Sequence, residues 1–555
     1  MNSKPLLAVF FTLASAWLIQ FFYRFYTRRR FFKGLPQPPH SMLWGHLKIM
    51  GEVAATLPPN MHPQAYLTAI AHKYDLHGIF YIDLWPISGP QVVLTDPDLM
   101  DQVTLIKPTN VHPMADDFLA PMVGRNGIAT SNGAVWKKTH NAMAPAFSWG
   151  HIRSLTGLIV EECEHFRSSL DKLAMSGKTF SMEALGTRLV FDVIARVVFN
   201  LSLNAQTKGS TYLDDLMEMI ALSEAQLSFN PVVKMRAWLR RKHVLGRLHP
   251  SITEKIMERF NLLREEKIVP SRKDPYSILD LMLREQLQEV QGEGNAAQDL
   301  SPEYLELMIT KWPRHNDKYT LRKNAIVLEP LKSFVLTIQY IYMLLSKNPK
   351  VLQKLRDEHT RVFHSDPTES INILQDSPAK LNELEYTTAV IKETLRLFPV
   401  GFMVREAEPG ATIRYNDTEY PIAGNDLVLV TTPHTVHYDP KFFANPASFQ
   451  PERWLDADAE IPRSYFRTFG RGPRACLGQN LAQDELRIIL LCTVREFAFE
   501  MVGMAGQDAL KVNAEPRTSY TDLDTVFGDC VFQALAIEAR PRGGMWMRVE
   551  KSVGS

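Results

Sequence analysis

The run Phe469-Gly470-Arg471-Gly472-Pro473-Arg474-Ala475-Cys476-Leu477-Gly478 sets a cysteine among glycines, a proline and arginines, just before apolar residues at helical spacing (Leu477 to Leu481, Leu486, Ile489, Leu490). A cysteine binds iron only as the thiolate. A turn-rich, electropositive loop at a helix N-terminus favours that form, because unpaired backbone N–H groups point at the sulfur. Gly470, Gly472 and Gly478 permit tight turns and the close approach of a large planar ligand, while Pro473 stiffens the loop and Arg474 can pair with an acidic group on that ligand. These residues point to Cys476 as an iron ligand; the competing reading is a buried structural cysteine, the usual fate of a lone one. Other site patterns fail on spacing. There is no C-x-x-C-H and no paired C-x-x-C, and Ala475 stands where a G-x-G-x-x-G would need its third glycine.

The 555 residues contain no polar linker past the N-terminus, which predicts one large domain. Lys plus Arg is 62 against Asp plus Glu 61, and that balance excludes a typical nucleic-acid binder, which is markedly basic. The four cysteines, Cys163, Cys476, Cys492 and Cys530, are scattered, as free thiols in a reducing compartment are. From Leu6 to Phe22 the chain is apolar apart from Thr12, Ser15 and Gln20. That is roughly 17 residues, the lower limit for a membrane-spanning helix. Aromatics from Phe21 to Tyr26 and a basic cluster (Arg24, Arg28, Arg29, Arg30, Lys33) follow it, so the expectation is a retained single-pass anchor with the basic side cytoplasmic. A cleaved signal peptide would carry its charge first. Leu35-Pro36-Gln37-Pro38-Pro39 reads as a stiff spacer. The predicted division is 1–27 anchor, 28–45 basic and proline-rich hinge, and 46–555 main domain.

Within that domain, 78–85 and 91–94 are β-favouring runs forming a hairpin. Asp96-Pro97-Asp98 is a helix start. Strands are few elsewhere, and 155–174, 182–201 and 211–227 carry helical spacing. The basic run Lys234 to Arg247 is either a surface for anionic lipid or a solvated helix face, and the polar 286–299 reads as a loop. Between Pro108 and Gly133 lies a long irregular stretch of the kind that serves as a functional loop.

Three further motifs accompany the cysteine loop. Glu393-Thr394-Leu395-Arg396 puts opposite charges three apart on a helix, and Pro399 follows. Arg405 comes six residues after that proline, and His437-Tyr438-Asp439-Pro440 leads through Phe443, Pro446 and Phe449 to Pro451-Glu452-Arg453-Trp454. With F-G-x-G-x-R-x-C-x-G complete at 469–478, the chain resembles the cytochrome P-450 family. The resemblance implies a mainly α fold with small β-sheets, the P-450 fold, here preceded by one N-terminal transmembrane helix.

Residue by residue, the resemblance makes Cys476 the proximal thiolate ligand of a haem b iron, with Phe469 covering the sulfur. Trp136 and His140 are implied on one haem propionate and Arg405 on the other, with Arg474 also among the haem-binding residues. Glu393, Arg396 and Arg453 are implied as a buried network holding the loop. It further implies O2 as co-substrate, a small lipophilic substrate, and electrons from NADPH through a separate flavoprotein reductase in the endoplasmic reticulum membrane, with membrane lipid around the anchor. Gly34-Leu35-Pro36 through His40-Ser41 and the run Gly543 to Val549 look most like fungal members that build secondary metabolites.

The pattern breaks over 311–333. The residues that deliver protons to bound oxygen in the family fall here on Glu329-Pro330-Leu331-Lys332-Ser333, after the strongly polar 311–318. Pro313 and Pro330 each cost about 3 kcal/mol inside a helix. Three readings follow: Ser333 with Glu329 replaces the usual alcohol and acid; the enzyme isomerises or dehydrates without activating oxygen, or is silent; or a misplaced exon or frame shift has altered the stretch. The normal apolar helix resuming at Phe334 favours the third.

Overall fold

The computed structural model describes residues 4–552 except 59, 117–118, 120–126, 226–227, 229, 267, 269–276, 293–324, 425, 457–460, 503–532, 535–538 and 542–543. Helices dominate the described residues, with four small sheets among them. The largest sheet runs Ile79–Ile82, Gln91–Leu94, Val428–Thr431, Met403–Glu406, Asn110–Val111, and only the second and third strands are parallel. Its first two strands are the hairpin read from the sequence, in register from Ile79↔Leu94 to Ile82↔Gln91. Alternation divides their side chains between two cores. Phe80 and Ile82 join the main one, Ile79 and Tyr81 a smaller one with Phe32, Leu99 and Phe443. Asp96 then caps the next helix by accepting from Asp98 N at 2.9 Å.

The Ala325–Lys347 helix is the axis of the main core. From Phe334 to Leu345 it is buried on every side, which is why its sequence is apolar all round and shows no solvent stripe. The backbone is helical through Pro330, so the break expected there does not occur. Pro330 lies in the second turn, where its missing N–H removes one bond, and the buried half of the helix carries the rest. Pro313 lies outside the described residues.

The N-terminal expectation is overturned. Residues Lys4–Phe31 form one helix, but no helix among the described residues is long and apolar enough to cross a membrane. The predicted transmembrane helix, and with it the single-pass placement in the endoplasmic reticulum, is corrected accordingly. The apolar run is short and interrupted, and the far half of the helix is committed to protein contacts. Phe21 and Phe25 lie 5.6 and 5.8 Å from the Trp85 ring, and Arg29 is buried in an ion pair with Asp83. Nor do 28–45 form a free spacer, because Pro36 O accepts from Tyr81 N at 2.9 Å and Pro38 O bonds His46 Nε2 at 3.0 Å.

Packing bears on two other readings. Residues 286–292, read as loop, belong to the Ile278–Gly292 helix, whose Leu279, Leu283 and Leu287 stripe is buried against Ile256, Phe260 and Leu263. The basic run lies on the Pro231–Glu265 helix, where Arg240 and Arg247 pair with Glu218 and Asp215 of the neighbouring Thr211–Ala225 helix.

Candidate active site

Cys476 sits three residues before the Gln479–Thr493 helix, for which Gly478 is the N-cap position. The loop is a chain of tight turns: Gly470 N bonds Arg467 O at 2.9 Å, Ala475 N bonds Gly472 O at 3.0 Å, and Cys476 N bonds Phe469 O at 2.8 Å. Gly470 and Gly472 both have positive φ. At Gly472 the demand is also steric, since a Cβ there would lie 1.9 Å from Thr104 O. Asp101, just before the same helical turn (Gln102–Ile106), ties down two arginines of this region, Arg467 at 2.8 Å and Arg471 at 3.1 Å.

Behind the loop lies a saturated ionic network. Glu393 and Arg396 side chains are both fully buried. Arg396 donates to the two carboxylate oxygens at 2.9 and 2.8 Å, and to the carbonyls of His437, Pro446 and Ser448. Glu393 also accepts from Arg453 Nε at 3.0 Å, Trp454 Nε1 at 2.9 Å and Gln450 N at 3.0 Å. Two bonds carry the network to the loop: Thr468 Oγ1 donates to Leu395 O at 3.1 Å, and Arg467 N donates to His437 Nε2 at 3.3 Å. Burial, then the Arg396 charge, hold His437 down to about 3. A neutral ring can accept from Arg467 at one nitrogen and bond Arg396 O at the other, 3.0 Å away.

On the other side of the loop the charges are not balanced. The Trp136 and His140 rings lie 4.8 Å apart, tilted by 39°, on the Gly133–Met143 helix. The Arg474 guanidinium lies 4.3 Å from the Trp136 ring centroid and donates to Asn132 Oδ1 at 2.8 Å. Among the described residues its buried Nη1 has no partner. Arg405, 1% exposed, meets among the described residues Thr109 O at 3.5 Å and Met403 Sδ at 3.4 Å, and its Nε has no partner there. Burial, then the charges of Arg474 and Arg467, push Arg405 down to about 10; burial does the same to Arg474. Among the described residues neither arginine has a carboxylate partner. A buried cation with a half-buried one beside it, neither answered by a carboxylate among the described residues, makes a receptor for an anion. The two carboxylates of a haem held against the cysteine loop would supply one, so the residues present fit that group.

The distal residues are less defined. Ser333 is half-buried on the Ala325–Lys347 helix, and its carbonyl accepts from Thr337 Oγ1 at 2.9 Å. Glu329 lies on the same helix, its side chain outside the described residues. Reading the sequence alone missed Asp101 and Asn132 and met His437 and Trp454 only as parts of motifs. Asp101 and Asn132 act on partners more than three hundred residues away, beyond any local spacing.

A mainly helical fold carrying a glycine-turn cysteine at a helix start defines the class of haem-thiolate proteins. The cytochrome P450 family model matches residues 36–310 and 333–513, and the chain belongs to that family, the haem-thiolate monooxygenases. The match lapses over 311–332, where the sequence pattern breaks. The chain is 28% identical to cytochrome P450 monooxygenase acrF of Aspergillus aculeatus over 526 residues, covering 90% of this chain and 99% of that protein. It is 28% identical to cytochrome P450 monooxygenase ptmG of Penicillium ochrochloron, covering 94% and 91%. It is 25% identical to cytochrome P450 4V2 of Rattus norvegicus, covering 78% of each.

Proposed function

We propose that the chain inserts one oxygen atom from O2 into a small lipophilic substrate in fungal secondary metabolism, with Cys476 as the axial thiolate and electrons from NADPH through a separate flavoprotein reductase. Fungal monooxygenases covering most of the chain support the setting. The observation that carries the cofactor reading is buried Arg405 with half-buried Arg474 beside it, neither met by a carboxylate among the described residues near the cysteine loop. When bound, haem supplies the oxygen chemistry, and a thiolate ligand favours O–O cleavage. The chain's own work is to hold the sulfur at the helix N-terminus, to neutralise two propionates with Arg405 and Arg474, and to set Trp136 and His140 beside the second of these arginines. Behind the loop, Glu393, Arg396 and Arg453 keep it from shifting.

The test is the carbon monoxide difference spectrum of the full chain after dithionite reduction. A strongly red-shifted Soret band is expected, and lost in Cys476→His. Its absence with folded protein present overturns the reading. A second reading rests on the lapse at 311–332 and on Lys332-Ser333 in the oxygen-activating place: isomerisation or dehydration on the same haem-thiolate site. Turnover without a reductase separates the two.

A further inference from the structure

We propose that Asn132 is the positioning residue that fixes Arg474 for the anionic edge of the haem and joins it to the strand pair bearing Arg405; the proposal rests on the haem reading above. Asn132 occupies the N-cap position of the Gly133–Met143 helix, where an asparagine ordinarily turns inward and accepts from the first helical N–H groups. It makes no such bond. Its Oδ1 accepts from Val111 N at 2.9 Å and from Arg474 Nη2 at 2.8 Å, and its Nδ2 donates to Val111 O at 2.9 Å.

The helix cap has been given up for a link between three distant pieces of chain. One piece carries Arg474. Another is the Asn110–Val111 strand, in which Val111 pairs with Arg405 across the sheet, while Arg405 Nη1 reaches Thr109 O just before the strand. A single amide therefore holds one arginine by its side chain and braces the backbone that mounts the other. The residue type follows from the charge. A carboxylate at 132 would grip Arg474 as well but would spend the positive charge that the ligand needs. A shorter side chain would leave Arg474 held only by its stacking on Trp136 at 4.3 Å.

The experiment is a double-mutant cycle on the haem-loaded full chain, read as the rate of haem transfer to excess apomyoglobin and as the reduction midpoint potential. Asn132→Ser is the working variant, because serine is a good helix cap and protects the fold while falling short of Arg474. It is expected to speed haem loss about tenfold or more, the worth of a hydrogen bond to a charged group. It should also move the potential in the direction that Arg474→Ala moves it. In the Arg474→Ala background, Asn132→Ser should add much less, only the share that passes through the Val111 strand to Arg405. An equal acceleration in both backgrounds, or an unchanged potential, overturns the proposal while leaving haem binding standing. A wild-type chain that lacks the red-shifted carbon monoxide band sinks the haem reading, and this proposal with it.

Discussion

Arg396 and Arg405 stand nine positions apart at either end of one connection, both almost completely buried, and their surroundings are opposite. Arg396 meets both oxygens of Glu393 and three carbonyls. Arg405 meets one carbonyl at 3.5 Å and a thioether, with Arg474 and Arg467 adding repulsion. A buried charge answered within the chain is architecture; a buried charge left short is a receptor for something the chain does not contain. The two arginines should therefore respond to mutation with opposite signs in the haem-free protein.

The largest effect is expected at Glu393. Glu393→Ala strands Arg396 without its carboxylate at full burial and should cost about 3 to 5 kcal/mol. The folded, haem-loaded fraction, read from the ratio of Soret to protein absorbance, should fall to background. Normal haem content would end the claim that this network holds the loop. Next comes Arg405→Met, which replaces an uncompensated buried cation by an apolar side chain. The haem-free protein should gain about 1 to 4 kcal/mol in urea unfolding, while haem dissociates faster. Loss of stability in the haem-free state would mean that Arg405 is answered inside the chain after all.

The smallest effect sharpens the same contrast with the opposite charge. Glu485, on the Gln479–Thr493 helix, is 2% exposed, and one of its carboxylate oxygens has no partner among the described residues. Burial alone drives its carboxyl well above 4.5. This folded-state value lies above the unfolded one, so the folded state holds its proton longer. The stability tied to the protonated carboxyl is complete below about pH 4.5 and is lost as pH rises toward the folded value. Glu485→Gln should therefore match the wild type near pH 4 and be the more stable at pH 7, by less than either change above. A constant difference between pH 4 and 7 would show that Glu485 is not protonated by burial.

How far the site was legible depended on how local each contact is. The cysteine loop, Glu393 with Arg396 and the Pro451–Trp454 turn are short spacings, so their chemistry was readable in order along the chain. The strength of the Glu393 network was not. It comes from Trp454 and Gln450 closing on the Glu393 carboxylate and from the carbonyls of His437, Pro446 and Ser448 closing on Arg396. Residues 286–292 looked like loop because the stretch is polar apart from Leu287 and Val290, and only Phe260 and Ile256 opposite reveal the leucine stripe. The N-terminal apolar run looked like a span because composition cannot register that Trp85 and Asp83 wait for its far half.

The sequence by itself determined the chemistry on offer: a cysteine at a helix start, glycines where no Cβ fits, and paired charges at helical spacing, all set by covalent order over ten residues or fewer. Tertiary structure alone decided which charges are answered. Whether a buried arginine finds a carboxylate depends on side chains brought from hundreds of residues away, as Asn132 is brought to Arg474, and desolvation acts on that completed enclosure.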